Sequence, residues 1–124
     1  MLNSSRAVAT IAVSDMERAT QFYEGVLGLT LDHRREGAYS FKSGDAQLIV
    51  YRSQFAGTNK ATSATWMVGR EVGTVVHALK EKGVVFEHYE LPNTHLDGDV
   101  HVSGDMQVAW FKDPDGNILC IVSG

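Results

Sequence analysis

Two stretches of the chain repeat one pattern, and this repeat limits the possible folds more than any other feature. Ala-Thr-Ile-Ala-Val at residues 9–13 returns as Ala-Thr-Trp-Met-Val at residues 64–68, an offset of 55 positions (from 9 to 64). Gly28 and Gly83 follow the two copies at the same offset, each after a helical pattern. Because a solenoid needs three or more units, two copies indicate a pair of similar modules that pack together.

The first module is predicted over residues 6–52. Small and β-branched residues predict a strand at 6–13, and Ser14 with Glu17 has the spacing of a capping box at the start of a helix over 15–27. Gly28 is predicted to end that helix in the left-handed conformation. Further strands are expected at 29–33, 38–42 and 46–52, so the module has the order β-α-β-β-β.

The second module is predicted over residues 63–123, after a polar linker at 53–62. It begins with a strand at 63–68 and a helix at 70–82, whose apolar stripe has helical spacing. Strands are expected at 84–89, 106–112 and 117–122, and 90–105 is expected to be mostly loop around at most a short strand. Asp-Pro-Asp-Gly at 113–116 favours a type I turn between the last two strands.

These elements predict an α+β fold in one domain, residues 1–124. The two tandem βαβββ modules are expected to form a curved, sheet-lined cavity with the helices outside. A concave surface between paired sheets is a common place for a ligand.

Composition and charge exclude several classes of function. The formal net charge is −4 and no basic stripe is present, which argues against a nucleic-acid partner. The basic residues at 33–35 are assigned to a surface strand end. No apolar run approaches the ~20 residues that cross a bilayer, and the run at 7–13 is too short for a signal peptide. The single cysteine, Cys120, excludes an internal disulfide and is typical of a reducing cytoplasm.

Three features together resemble one known superfamily. They are the paired modules, Gln-Phe-Tyr at 21–23 with Leu-Gly at 27–28, and Trp-Phe-Lys-Asp-Pro-Asp-Gly-Asn-Ile-Leu at 110–119. On these features the chain is similar, from about residue 7 to 123, to the vicinal oxygen chelate superfamily. That group includes glyoxalase I, bleomycin resistance proteins, fosfomycin resistance enzymes and extradiol dioxygenases. The resemblance implies a homodimer, and in some members the cavity is shared across the dimer interface.

The resemblance also implies where a divalent metal would be held. Enzymes of the superfamily take four ligands from their sheets, two per module, and these positions fall on Val8, on Leu48 or Ile49, on Ser63 and on Cys120. Hydrocarbon side chains cannot ligate a metal, serine is a poor ligand, and one thiolate does not hold a divalent ion. We therefore expect no metal cofactor of the family kind, with a divalent metal elsewhere as the alternative.

Two other sets of residues are candidates for chemistry. His95, Asp97, Asp99 and His101 alternate at spacing two, so in one extended strand all four would lie on one face as metal ligands. Because Gly98 interrupts the run, a solvated loop at the cavity mouth is the alternative. Cys120 and His101 are the candidate catalytic residues, although the apolar neighbours of the cysteine indicate a packed, inert thiol.

Strand alternation predicts which side chains line the cavity. The wall is expected to be largely apolar with a few hydroxyls, which is typical of a pocket for a small organic molecule. A core simply filled by these side chains is the alternative. The predicted ligand-binding residues are Thr10, Gln47, Ile49, Tyr51, Ser63, Thr65, Met67, Trp110 and Cys120.

We therefore expect a protein that binds or sequesters a small apolar or aromatic compound without a metal, on the model of bleomycin resistance proteins. One alternative is an enzyme, a glyoxalase-like lyase, isomerase or dioxygenase, which would use a non-standard metal or a general base among His95, Asp97, Asp99 and His101. Another is a structural or regulatory protein whose cavity is vestigial. In each case the expected partner is a second copy of the chain, with neither nucleic acid nor membrane involved.

Overall fold

The computed structural model describes all 124 residues and contains ten strands in two sheets. The helices are α1 (Met16–Thr20), continued by a π-helix at Gln21–Val26, and α2 (Val72–Glu81), preceded by a 3₁₀ turn at Gly69–Glu71. Neither is long and apolar enough to cross a membrane. The strands are β1 (Ala9–Val13), β2 (Thr30–Arg35), β3 (Ala38–Ser43), β4 (Ala46–Arg52), β5 (Thr62–Met67), β6 (Phe86–Glu87), β7 (His95–Asp97), β8 (Val100–Ser103), β9 (Met106–Lys112) and β10 (Ile118–Val122).

The two sheets share one topology, which confirms the paired modules and the α+β class. The first sheet has the order β1-β4-β3-β2, and the second has the order β5-β10-β9-β8-β7, with β6 paired to β9. In each module the opening strand runs parallel to the closing strand, and the other pairs are antiparallel. Strands β1 and β5 lie next to each other without pairing, so the sheets are not closed into a barrel.

The first helix begins one residue later than its sequence pattern predicts. Asp15, not Ser14, is the N-cap, because its carboxylate accepts the backbone N–H groups of Glu17 and Arg18. The Ser14 hydroxyl instead donates to a carboxylate of the second module, as described below. The predicted capping box was therefore wrong, and the helix begins at Met16 with Asp15 as its N-cap.

The C-terminal ends of both helices were predicted correctly. Gly28 and Gly83 take positive φ angles of 79° and 91°, which only glycine adopts without strain. Before Gly28 the helix widens, since the Leu27 N–H donates to the carbonyl of Phe22, five residues back, as in a π-helix. The sequence pattern did not predict this wider turn.

One hydrophobic core holds the two modules together on the helical side of the sheets. Tyr23, Phe41 and Phe111 are fully buried and belong to one cluster that draws on both helices and both sheets. Ile11 and Val13 of β1 are both buried in this cluster, on the side of the strand that faces the helices. The core therefore fixes which side of each strand remains free for a ligand.

The turn at residues 113–117 joins the modules through buried polar contacts, and we call these contacts the inter-module clasp. The Tyr23 hydroxyl donates to Asp113 Oδ2 over 2.7 Å, and Asn117 Nδ2 donates to the same oxygen over 2.8 Å. Asn117 Nδ2 also donates to the carbonyl oxygen of Ala12 in β1 over 2.7 Å. Burial, and then the neighbouring Asp113 carboxylate, raise the pKa of the Tyr23 phenol far above its usual value, so the phenol keeps its proton.

A second part of the clasp lies closer to solvent. The carboxylate of Asp115 accepts the Ser14 hydroxyl over 2.5 Å, the Ser14 backbone N–H over 3.1 Å and the Arg18 guanidinium over 3.2 Å. The linker also packs on this turn, since a Cβ added at Gly57 would lie 1.9 Å from the Asp115 carbonyl oxygen. The turn therefore holds the helix start and the linker as well as β1.

The segment at 90–105 differs from its prediction. It contains a β-hairpin, in which β7 and β8 pair so that Asp97 lies opposite Val100. The loop is therefore the two residues Gly98 and Asp99, with Gly98 at a φ of 63°, as two-residue hairpin loops require. The glycine that argued against an extended run is thus the turn of a hairpin, which the expectation of a loop did not include.

Candidate functional site

Each sheet has one side that no helix covers, and we call these sides the open faces. On the first sheet, register places Thr10, Ile49 and Ser40 side by side on the open face. On the second sheet, Thr65, Cys120 and Trp110 are aligned in the same way. Their strand neighbours on the opposite side, such as Ile11 and Leu119, lie in the core, which fixes this assignment by alternation.

Eight of the nine predicted ligand-binding residues lie on these two open faces by this alternation. The first sheet carries Thr10, Gln47, Ile49 and Tyr51, and the second carries Thr65, Met67, Trp110 and Cys120. The ninth, Ser63, lies where the register of β5 against β10 shifts. The exposed fraction is 72% at Met67 and 39% at Tyr51, so much of this surface is uncovered in the single chain.

The two open faces do not meet in one cavity within the chain. A cavity of about 330 Å³ on the first sheet contains only Gln47 and Ile49 of the predicted set. An apolar cavity of about 180 Å³ lies instead on the helical side, between Leu27 of the first module and Val75 of the second. The predicted residues are therefore divided between two separate surfaces, whose relation to a ligand stays a prediction.

The four positions that the resemblance assigns to metal ligands can now be placed. Leu48 is 4% exposed and lies in the core, so the position on β4 falls on Ile49. Val8 and Ser63 are half-buried, and Cys120 is buried. Burial raises the pKa of the Cys120 thiol, partly offset by a hydrogen bond with Thr65, which disfavours the thiolate that a metal needs. Two hydrocarbons, a hydroxyl and a protonated thiol do not fit a divalent metal.

The alternating set at 95–101 does not converge, because the hairpin turns the chain between its members. His95 and Asp97 lie opposite Val102 and Val100, while His101 lies opposite Leu96 and on the other side of the hairpin. The four side chains would share one face only in a continuous strand, and the hairpin at Gly98 removes that condition. No group of three or more His, Cys, Asp or Glu side chains is arranged to hold a metal ion.

The Asp99 carboxylate instead forms hydrogen bonds with two side chains of the same chain, one at each oxygen. It accepts Lys80 Nζ of α2 over 2.6 Å and contacts His88 Nε2 over 2.7 Å. The hydrogen bond from Lys80, and then that from His88, hold the pKa of Asp99 below its usual value. The loop of the hairpin is thereby tied to the second helix and to the chain after β6.

His101 is the buried member of the set, with an exposed fraction of 1%. Its ring lies edge-on to Trp110, with centroids 4.9 Å apart, and is stacked on Tyr89 at 6.2 Å. The backbone N–H of Tyr89 donates to His101 Nε2 over 2.9 Å, so the neutral ring carries its proton on Nδ1. Nδ1 has no partner in the protein. A ring in this tautomer has no free lone pair, which argues against a general-base role for His101.

Sequence reasoning missed the polar residues that β2 and β3 contribute to the cavity on the first sheet. The register of β2 against β3 shifts between Leu31 and His33, and this irregularity places both Asp32 and His33 along the cavity with Arg35 and Ser40. The basic residues at 33–35 were visible in the sequence but were assigned to a surface strand end. The alternation of residues 33–35 along β2, together with the pairing of β2 to β3, could have placed Arg35 on the open face.

Comparison with known proteins agrees with this fold. The model of the Glyoxalase/Bleomycin resistance protein/Dioxygenase superfamily matches residues 6–121. No curated protein sequence matches the chain at a significant level. Among solved structures, a bleomycin resistance determinant encoded on the transposon Tn5 is 18% identical with a TM-score of 0.75, covering 98% of this chain and 98% of that chain.

Two further solved structures, a lyase and a fosfomycin resistance protein, have the same fold. Lactoylglutathione lyase from Agrobacterium tumefaciens is 19% identical with a TM-score of 0.71, covering 96% of this chain and 92% of the other. The fosfomycin resistance protein FosX from Listeria monocytogenes, complexed with Mn(II) and a sulfate ion, is 13% identical with a TM-score of 0.72, covering 100% and 92%. At these identities the solved structures show the fold, and the match of the family model over residues 6–121 shows that the chain belongs to the glyoxalase/bleomycin resistance protein/dioxygenase superfamily.

Proposed function

We propose that this protein binds a small organic molecule on its open faces without a resident metal, and that a second copy of the chain completes the site. The observation that carries the proposal is the set of side chains at the four metal positions of the superfamily. Val8, Ile49, Ser63 and Cys120 offer two hydrocarbons, a hydroxyl and a buried thiol. This set suits contact with an apolar ligand and not coordination of a cation.

The exposure of the open faces supports the second part of the proposal. Met67 and Tyr51 are exposed in the single chain, and so are Thr10 and Thr65 on the same two faces. A ligand held by one open face alone would remain largely in water. Two faces brought together by a second copy would bury it on both sides, and a twofold pair would form two equal sites.

Ligand binding can be tested with the two tryptophans, which form a matched pair. Both are half-buried and each donates its indole N–H to a hydroxyl, Trp110 to Thr62 on the open face and Trp66 to Ser43 on the helical side. In a thermal-shift screen of small aromatic and aliphatic compounds, we expect hits whose stabilisation is reduced by Trp110→Phe and kept by Trp66→Phe. Equal loss in both variants, or no hits for the wild type, would contradict the proposed site.

The metal and the second copy need separate measurements. Protein purified without chelator is expected to carry less than a stoichiometric amount of any transition metal by elemental analysis. A stoichiometric metal that is lost in His101→Ala would overturn the metal-free proposal and favour the enzymatic alternative.

Light scattering at micromolar concentration is expected to give twice the 13.6 kDa mass of the chain, whereas a monomer would refute the shared site.

A further inference from the structure

The cavity on the open face of the first sheet has a composition of its own. Its volume is about 330 Å³, and its polar end lies along the edge strand β2, which contributes Asp32, His33 and Arg35, while Ile49 of β4 lies two strands further into the sheet. The apolar part comes from Ala38, Tyr39 and Ile49, and the polar part includes Arg35 and Ser40. A cavity with one charged end and one apolar side fits an amphipathic ligand better than a hydrocarbon.

The hydrogen-bonding capacity at the polar end is only partly used. Arg35 forms no ion pair and no side-chain hydrogen bond, and the Ser40 hydroxyl forms none either, so both keep free donors. His33 Nδ1 donates to the Asp32 carbonyl oxygen over 2.9 Å, which leaves its Nε2 without a protein partner. By contrast, Arg34 on the neighbouring position is engaged, with its guanidinium 5.4 Å from the Tyr39 ring centroid.

One acidic side chain lies in the same cavity, and the protein itself neutralises it. The Asp32 carboxylate accepts Gln47 Nε2 over 3.2 Å on one oxygen, and Lys42 Nζ lies 3.7 Å from the other. Its charge is therefore balanced before a ligand arrives, and the free guanidinium of Arg35 is the unbalanced charge of the cavity. The chain as a whole has a net charge of −4, but residues 1–52 contain six basic and six acidic residues, whereas residues 53–124 contain five and nine. An anion is thus not repelled by the module that carries the cavity.

From this arrangement we infer that the ligand is a small acidic compound, whose carboxylate or similar anionic group binds Arg35 and Ser40 while its apolar body lies against Ile49. The inference rests on the proposed small-molecule function and specifies its ligand class. Arg is suited to the role because its planar guanidinium binds a carboxylate through two parallel hydrogen bonds. No metal is needed for this recognition.

The test compares two probes of the same shape, 1-naphthoate and its neutral counterpart 1-naphthamide, by titration calorimetry. We expect the naphthoate to bind roughly tenfold more tightly, equivalent to about 1.4 kcal/mol. Arg35→Gln is expected to reduce naphthoate affinity to the level of the amide and to leave amide affinity unchanged. Arg52→Gln makes the same charge change on β4 outside the cavity and serves as the control. Added salt is expected to weaken only the naphthoate complex.

The two proposals fail in different ways in this experiment. If both probes bind equally and Arg35→Gln changes neither, the acidic-ligand inference is overturned while small-molecule binding stands. The acidic-ligand inference is also overturned if Arg35→Gln and Arg52→Gln reduce naphthoate binding equally. A general charge effect would then explain the preference for naphthoate over the amide. If neither probe binds the wild type at millimolar concentration, the proposed function fails and the inference fails with it.

Discussion

Removal of the Tyr23 hydroxyl tests most directly whether the inter-module clasp stabilises the fold. Tyr23→Phe removes one oxygen from a fully buried ring and leaves the packing around it nearly intact. The hydroxyl lost donates to Asp113 Oδ2 over 2.7 Å. A hydrogen bond to a charged group contributes about 1.5–3 kcal/mol. Asp113 would still accept Asn117 Nδ2 and two backbone N–H groups, so its charge stays solvated by the protein and the lower half of that range is expected.

A loss of about 2 kcal/mol corresponds to a fall of roughly 8 °C in Tm for a chain of this size. Thermal unfolding followed by circular dichroism at pH 7 measures this shift. Tyr51→Phe is the control, because the Tyr51 phenol is partly exposed and forms no hydrogen bond, and its Tm is expected to stay within about 1–2 °C of the wild type. A fall of less than about 2 °C for Tyr23→Phe, or equal falls for the two variants, would refute the clasp as a source of stability.

Three further predictions follow from other contacts. Gly57→Ala is expected to cost at least about 2 kcal/mol, because its φ is 72° and the new Cβ would overlap the Asp115 carbonyl oxygen; an unchanged Tm would contradict this. Asp99→Asn is expected to be less stable than the wild type at pH 7, and urea titrations should show the gap closing as pH falls below about 4, since a depressed folded pKa gives stability that is lost on protonation. The buried Cys120 thiol, with its raised pKa, is expected to react with iodoacetamide in the native protein far more slowly than in urea; equal rates would show an accessible thiolate.

The main elements of the fold could be predicted from the sequence because their signals are local. The glycines at 28 and 83 end helices, and in β1 the alternation of Ile11 and Val13 with smaller residues sets which side chains enter the core. The N-cap was displaced by one residue for a non-local reason, since Ser14 is drawn to a carboxylate of the other module. The hairpin at 95–103 was missed for a related reason. Its strand β8 is held by pairing with β9, and β7 is held only by pairing with β8, so a local pattern does not contain the contacts that define them.

The site was harder to predict than the fold, and the four alternating residues at 95–101 show why. Alternation predicts a common face only if the strand is continuous. Here a two-residue loop at Gly98 and Asp99 reverses the chain direction and interrupts the strand. In the first sheet, a register shift between Leu31 and His33 places the consecutive residues Asp32 and His33 along the same cavity. Strict alternation would have placed one of them on the opposite side of the sheet. Errors of one residue hardly change a fold prediction, but they reverse the assignment of a side chain to a site.

The motif that identifies the family and the residues that we propose to bind a ligand are different parts of this molecule. In the turn at 113–117, the carboxylates of Asp113 and Asp115 and the Asn117 amide nitrogen all have partners within the protein. A motif whose polar groups are satisfied internally fixes how two modules join and can be shared by proteins with different ligands. Groups available to a ligand must instead be unsatisfied in the free protein, as the Arg35 guanidinium is on the open face. Recognition of the turn therefore predicts the architecture, while the ligand class has to be inferred from the donors that the architecture leaves free.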